Sequence, residues 1–384
     1  MKALTIIAIV LSTAGLLTAC GPTDGSKPLA YLDRPGTSSP STEPVIAPQR
    51  DPSTDSTQVL LVINSASAAS REIGAYYRSK RKIPKENVVI INVSTTENIA
   101  THEYNSGIKT PVQEAIKNTK NPINYIVLTD GIPIRLDNDN GYSVDGHLAT
   151  MKLNIPAITE LKQENIQRSA NPYYGATTRF TSAKYNMYLV TRLIGYTTED
   201  ALKLIDNSLA ATPAKGPFFF DQAGNRKTSS YGMLQSLMER SAQSLAQKGF
   251  TTTLETTDTF TAPTEPVMGY VSWGSNDGAF KPEEYKKVKF LPGALSETFV
   301  STSGRTFKPT VGGQSLIVEL IAQGVTGVKG YVSEPYTFAL AQPDILFDRY
   351  VQGFNLAESF YAASPVVKWK DIVVGDPLCN PYAR

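Results

Sequence analysis

From residue 58 onward the chain alternates continuous apolar runs with stretches whose apolar residues recur every three or four positions. Val59-Leu60-Leu61-Val62-Ile63-Asn64 is a run of the kind carried by strands buried on both faces. A predicted helix follows, with Ser67 as N-cap, Ile73, Tyr76 and Tyr77 on one face, and Pro84 as its stop. Val88 to Val93 reads as the next strand, residues 110–118 as a helix, and Ile123 to Asp130 as a third strand. Strands and helices alternating at this spacing predict right-handed crossovers and a parallel sheet. Asp130-Gly131-Ile132-Pro133 then falls beyond the carboxyl end of a strand, where ligands bind in such sheets.

Residues 135–180 are polar and irregular, and the alternation resumes with a strand at Met187 to Leu193. Thr198 is the expected cap of a helix that buries Ala201, Leu204, Ile205 and Leu209. Gly216 to Asp221 reads as a short apolar strand or loop. The second half repeats the scheme. Helices are predicted at 231–247, 314–322 and 343–362, and strands at 251–255, 267–272, 297–302, 327–333 and 372–377. The expected fold class is α/β, in two subdomains at 57–229 and 230–384, each a mostly parallel sheet flanked by helices.

The first residues have a different pattern. Lys2 precedes an almost wholly apolar stretch from Leu4 to Leu17, which ends in Leu17-Thr18-Ala19-Cys20. So short an apolar run with a small-residue end reads as an export signal, not a membrane-spanning helix. Leu-Thr-Ala-Cys resembles a bacterial lipobox, which implies a signal peptide at 1–19 and membrane attachment through a lipidated Cys20; an ordinary signal peptide is the alternative. Gly21 after the cysteine favours the outer membrane. Residues 20–56 are rich in Pro, Ser, Thr, Gly and Asp and read as a disordered tether. Cys379 is the only other cysteine, so lipidation of Cys20 would leave no partner for an internal disulfide. Lys and Arg number 37 against 35 Asp and Glu. The short cluster Arg78-Ser79-Lys80-Arg81-Lys82 ends a predicted helix and suits its dipole, so no nucleic-acid partner is expected.

Candidate chemistry gathers at two strand ends. One is Tyr270-Val271-Ser272-Trp273-Gly274-Ser275, the other Phe299-Val300-Ser301-Thr302-Ser303-Gly304. Together with the terminal Gly375-Asp376-Pro377, they resemble the strand ends of gingipain-type (C25) peptidases. That resemblance implies a caspase-like fold for both subdomains. Trp273 stands where that family has its histidine, and Ser303, within one residue, where it has its cysteine. An imidazole base and a thiolate nucleophile make that chemistry work. Neither is there. Asp130-Gly131-Ile132-Pro133, Asn171-Pro172-Tyr173-Tyr174, Trp273-Gly274-Ser275-Asn276 and Val332-Ser333-Glu334-Pro335-Tyr336 are similar to an uncharacterised bacterial family of exosortase-carrying genomes. This implies a cell-envelope setting, not a reaction.

Ser303 acquires a reaction only with a base beside it, and Glu334, Asp376 and His147 are the candidates; otherwise it is a loop hydroxyl. Trp273 is either a flat platform in a cleft with Gly274, Ser275, Asn276, Asp130 and Arg192, or a core side chain. Arg192 either bridges to Asp130 or Asp145 or clamps a substrate carboxylate. Asp137-Asn138-Asp139-Asn140-Gly141 resembles a calcium loop, but the glycine comes one position early and Leu148 stands where a bidentate glutamate belongs. A looser calcium site at Asp137, Asp139 and Asp145 is the alternative to a solvated turn, and no other cofactor is expected. The combined reading is an outer-membrane lipoprotein whose degenerate peptidase-like domain binds a peptide, a glycan or an envelope protein. Its rival is a hydrolase using Ser303 or a metal on envelope substrates.

Overall fold

The computed structural model describes residues 55–137, 141–158 and 160–383. The signal peptide, Cys20, nearly all of the tether and Asp139 lie outside these residues. The strands are β1 Val59–Asn64, β2 Val88–Ile91, β3 Asn98–Ile99, β4 Tyr125–Thr129, β5 Arg135–Leu136, β6 Leu189–Leu193, β7 Phe218–Asp221, β8 Thr252–Glu255, β9 Val267–Ser272, β10 Phe290–Thr298, β11 Gly327–Tyr331 and β12 Asp371–Gly375. Ten of them form one sheet in the order β2-β1-β4-β6-β12-β11-β10-β9-β7-β8, and β3 and β5 pair separately. The protein is thus an α/β molecule with a large, mostly parallel sheet flanked by helices.

Every neighbouring pair in the large sheet is parallel except β11 with β12. The segments that follow β4, β10 and β11 meet at one edge: Arg135 donates to Val332 O, Ser333 Oγ to Gly141 O, and Thr306 and the Phe307 N–H to Glu97. β7 precedes residue 229, yet it pairs with β8 and β9, which follow it.

The central strands are buried along their whole length, as their unbroken apolar runs require: all six residues of β1 and of β9 are buried. Helix Ala68–Arg81 packs on β1 through Gly74, where an added Cβ would come within 2.4 Å of Ile63 Cδ1. Helix Leu356–Ala363 packs on β6 and β12, and its Leu356 meets Gly375 and, on β11, Gly327. Helix Ile317–Ala322 covers the opposite face of β11, meeting Gly330 through Ile317.

Three sequence expectations shift. The helix expected from Thr198 is capped one residue earlier: the Thr197 side chain accepts from the Asp200 N–H while Asp200 caps back. The helix expected over 343–362 is two helices, Pro343–Val351 and Leu356–Ala363. Gly353, at φ +91°, takes the left-handed turn between them, and Asn355 starts the second with a capping box. The strand expected at 297–302 ends at Thr298 and starts back at Phe290. Its Pro292-Gly293 breaks the sequence pattern and coincides with a register shift against β9 between Phe290 and Leu295.

Candidate functional site

β9 and β10 are parallel neighbours, so Trp273 and the Phe299–Ser303 segment emerge side by side at one edge of the sheet. Trp273 does not stand open as a platform. It is 2% exposed, and its ring meets Phe299 at 5.1 Å and Tyr231 at 5.7 Å between centroids. The Arg226 guanidinium lies over it at 5.6 Å. The Trp273 Nε1–H donates to Gln235 Oε1 at 2.9 Å, so the indole is satisfied in a polar as well as an apolar sense. Gly274, at φ +46°, allows the chain to turn directly after it. A Cβ there would come within 2.7 Å of Ser315 Oγ and 2.8 Å of Val300 Cγ2.

Ser303 is sealed as well. It is 1% exposed, and its Oγ has no hydrogen-bond partner. Its carbonyl accepts from the Ile317 N–H at 2.9 Å, which anchors the start of the following helix. Of the bases expected for it, Asp376 is placed at the other end of β11. The Gly304 N–H bonds to Tyr331 O, which puts Ser303 at the carboxyl end of β11. Asp376 follows Gly375, whose partner is Gly327 at the other end of that strand. Four residues at about 3.3 Å each separate the two levels by roughly 13 Å. Asp376 instead accepts from Tyr77 Oη, Arg81 Nε, Ser208 Oγ and the Leu378 N–H, and so clamps the chain end to two helices. Glu334 turns back to accept from the Tyr336 N–H at 3.0 Å and neighbours Lys370. No hydrogen bond joins Ser303 to Glu334, Asp376 or His147. Ser303 Oγ therefore has no hydrogen-bonded base in this structure.

Asp130 follows β4, and the charges of Glu97 and Lys308 bear on it, Glu97 being bonded in turn to Thr306 and Phe307 in the loop after Ser303. Asp130 Oδ1 accepts from the Gly131 N–H, and burial raises its carboxyl against the pull of that amide and of Arg192. Arg192 is fully buried and takes the internal-bridge role. Its Nε and Nη2 hold both oxygens of Asp145 at 2.6–3.0 Å, and Nη1 and Nη2 reach the carbonyls of Ile132 and Pro133 at 2.8 and 2.7 Å. Asp145 is thereby taken out of any calcium site, and Asp137 is exposed. Among the described residues no three His, Cys, Asp or Glu side chains converge as metal ligands.

A polar rim remains at the β9–β10 edge. The Ser275 N–H donates to Ser315 Oγ, and the Ser315 N–H returns the bond to Ser275 Oγ. Asn276 donates to Phe299 O at 2.7 Å and accepts from Gln314 Nε2 at 2.9 Å. Gln314 Oε1 then accepts from the Thr302 N–H and hydroxyl. Ser275, Thr302, Arg305 and Gln314 are partly exposed, so this interlocked rim faces solvent over a closed floor.

Two groups escaped the sequence reading. Asp221 ends β7 beside Ser272, buried, with neither carboxylate oxygen in a hydrogen bond of good geometry; burial, and then Asp277, push its carboxyl up to about 8. The signal was an acidic residue closing the apolar run Phe218-Phe219-Phe220. Glu297 and Lys329 are register partners in the middle of the sheet, both fully buried. Lys329 Nζ reaches Asp371, Ser364 Oγ and Ala339 O, while Glu297 accepts from Tyr331 Oη at 2.6 Å and is raised by burial to about 8. No sequence signal marks that pair, because each lies in an otherwise ordinary strand.

No protein-family model matches this chain, and none of the curated proteins does. A solved structure described as "Structure of Protease" is similar at a TM-score of 0.45 and 12% identity, over 87% of this chain and 80% of that one. A likeness at that level carries no argument about activity.

Proposed function

We propose that this protein is an envelope lipoprotein, anchored to the outer membrane through Cys20, whose domain binds a peptide or glycan without cleaving it. The observation behind this reading is the closed floor of the β9–β10 edge. Trp273 fills one position of the peptidase-like frame, and Ser303 is buried at the other without a base. Above it, the rim of Ser275, Thr302, Arg305 and Gln314 offers hydroxyl, amide and guanidinium groups fixed in place by bonds to one another. Pre-ordered polar groups at the carboxyl ends of parallel strands are a favourable setting for recognition, since little side-chain freedom is lost on binding.

The test is a peptide and glycan array probed with the protein carrying Cys20→Ser. Binding to members of one class is expected, weakened about tenfold by Gln314→Ala, the cost of one to two lost hydrogen bonds. Failure of the folded protein to bind either class would refute the reading, as would binding that Gln314→Ala and Ser275→Ala leave intact.

A further inference from the structure

Asp221 is the least explained charged group among the described residues. It is 1% exposed, neither carboxylate oxygen has a hydrogen bond of good geometry, and the Thr261 backbone N–H is the one donor that bears on it. A buried carboxylate in that condition is costly unless a proton or a cation compensates it. Its surroundings are fixed by strand register. Asp221 pairs with Glu255 on one side and Ser272 on the other, and Ser272 pairs with Thr298. Partners in a parallel ladder point to the same face, on strands about 4.8 Å apart. Glu255, Asp221, Ser272 and Thr298 therefore form a row of oxygen-bearing side chains across one face.

Two more observations point into this row. Thr298 Oγ1 is fully buried and lacks a hydrogen-bond partner, and the fully buried Tyr270 Oη lies against the Ser272 side chain without a bond of good geometry. Tyr270 lies two residues before Ser272, hence on the same face. Asp277 adds a second carboxyl from the loop after β9. It is buried, one of its oxygens accepts from the Ala279 N–H, and its charge bears on Asp221. No side-chain cation bonds to Asp221. Arg226 donates to Asn276 O, lies over Tyr231 and Trp273 and bears on Asp277 through its charge alone, and Lys227 pairs with Asp258.

We propose that Asp221 and Asp277, with the hydroxyl oxygens of Ser272 and Thr298, bind one hard divalent cation of the calcium or magnesium type. The donor set is all oxygen, without sulfur or imidazole, which selects such ions over zinc or copper. Two carboxylates neutralise a double charge. Because no three acidic side chains converge, neutral hydroxyls and water complete the shell. The ion would occupy the internal edge of β7, β9 and β10, behind Trp273, and stiffen the base on which the rim stands. A proton competes for the same oxygens, so affinity rises with pH.

The experiment uses the full chain with Cys20→Ser, stripped by chelator and dialysed against calcium or magnesium at pH 6 and pH 8. Expected are one bound ion per chain at pH 8, weaker binding at pH 6, and an unfolding temperature raised by several degrees when the ion is in large excess over its Kd. Asp221→Asn is expected to bind no ion at this site and to unfold, in chelator, at or above the temperature of the parent. Thr298→Val is expected to weaken binding without abolishing it. If the parent retains no ion at pH 8, or if Asp221→Asn retains as much as the parent, the proposal is overturned. Neither result depends on what the rim binds.

Discussion

Replacing Arg192 with Met is expected to lower the unfolding free energy by roughly 3–5 kcal/mol, because it leaves a buried carboxylate without its partner. Arg192 is fully buried and Asp145 nearly so, and the pair is bidentate. Burial pushes the Asp145 carboxyl up, and the guanidinium, followed by the backbone N–H of Asp145 itself, pulls it back, so Arg192 is the main group that favours its charge. The same guanidinium holds the Ile132 and Pro133 carbonyls, which would also lose their donors. Urea denaturation is the check. The double change Arg192→Met, Asp145→Leu should restore much of the loss, since replacing both ions by apolar groups removes the desolvation cost together with the attraction. A single-variant loss below about 1 kcal/mol would mean the bridge contributes no more than a surface pair.

The second large effect is a fall in stability as pH rises through neutrality. Asp221 and Glu297 both have carboxyls raised by burial to about 8, from ordinary values of 3.8 and 4.5. A raised carboxyl pKa means the folded state keeps a proton that the unfolded state has released. Between about pH 4 and pH 8 each group therefore costs stability as pH increases, by at most ~1.4 kcal/mol per pH unit. His147 acts in the opposite sense at lower pH. Burial, then Lys368 and Lys109, hold it down to about 4, so stability is lost as pH falls from its ordinary 6.5 through 4. In the presence of chelator, the unfolding free energy should peak on the acid side of neutrality and decline toward pH 8. Asp221→Asn and Glu297→Gln should each flatten the decline. A flat profile between pH 6 and pH 8 in the parent would show that neither carboxyl is raised as the geometry requires.

The runs that form strands could be read because burial on both faces leaves no polar position to confuse the period: β1, β4, β6 and β9 all fall where their apolar stretches lie. The start of β10 could not, since Pro292-Gly293 interrupts it and only the register with β9 identifies Phe290 as strand. Nor could the direction of the sheet be read. A local pattern predicts parallel crossovers, but the reversal at β11–β12 is a choice between strands forty residues apart. The pair of strand ends around Trp273 and Ser303 was legible because β9 and β10 run in parallel side by side. Its closure was not, because it depends on Gln235 from helix Ser229–Gln247 and on Phe299, which only folding brings against the indole. Asp221 went unread for a related reason. Its isolation is a property of the neighbours it lacks, and sequence does not display absent partners.

The central proposal is that Ser303, at the β9–β10 strand ends, is not an activated nucleophile. It is tested most directly by exposing the folded protein, with Cys20→Ser, to a broad fluorophosphonate probe alongside its Ser303→Ala variant. A buried hydroxyl without a base predicts no labelling of either protein at neutral pH, and unchanged or slightly higher stability in the variant, since a buried oxygen that lacks a partner is removed. Labelling of the parent that vanishes in Ser303→Ala would contradict the account and show that Ser303 is an activated nucleophile.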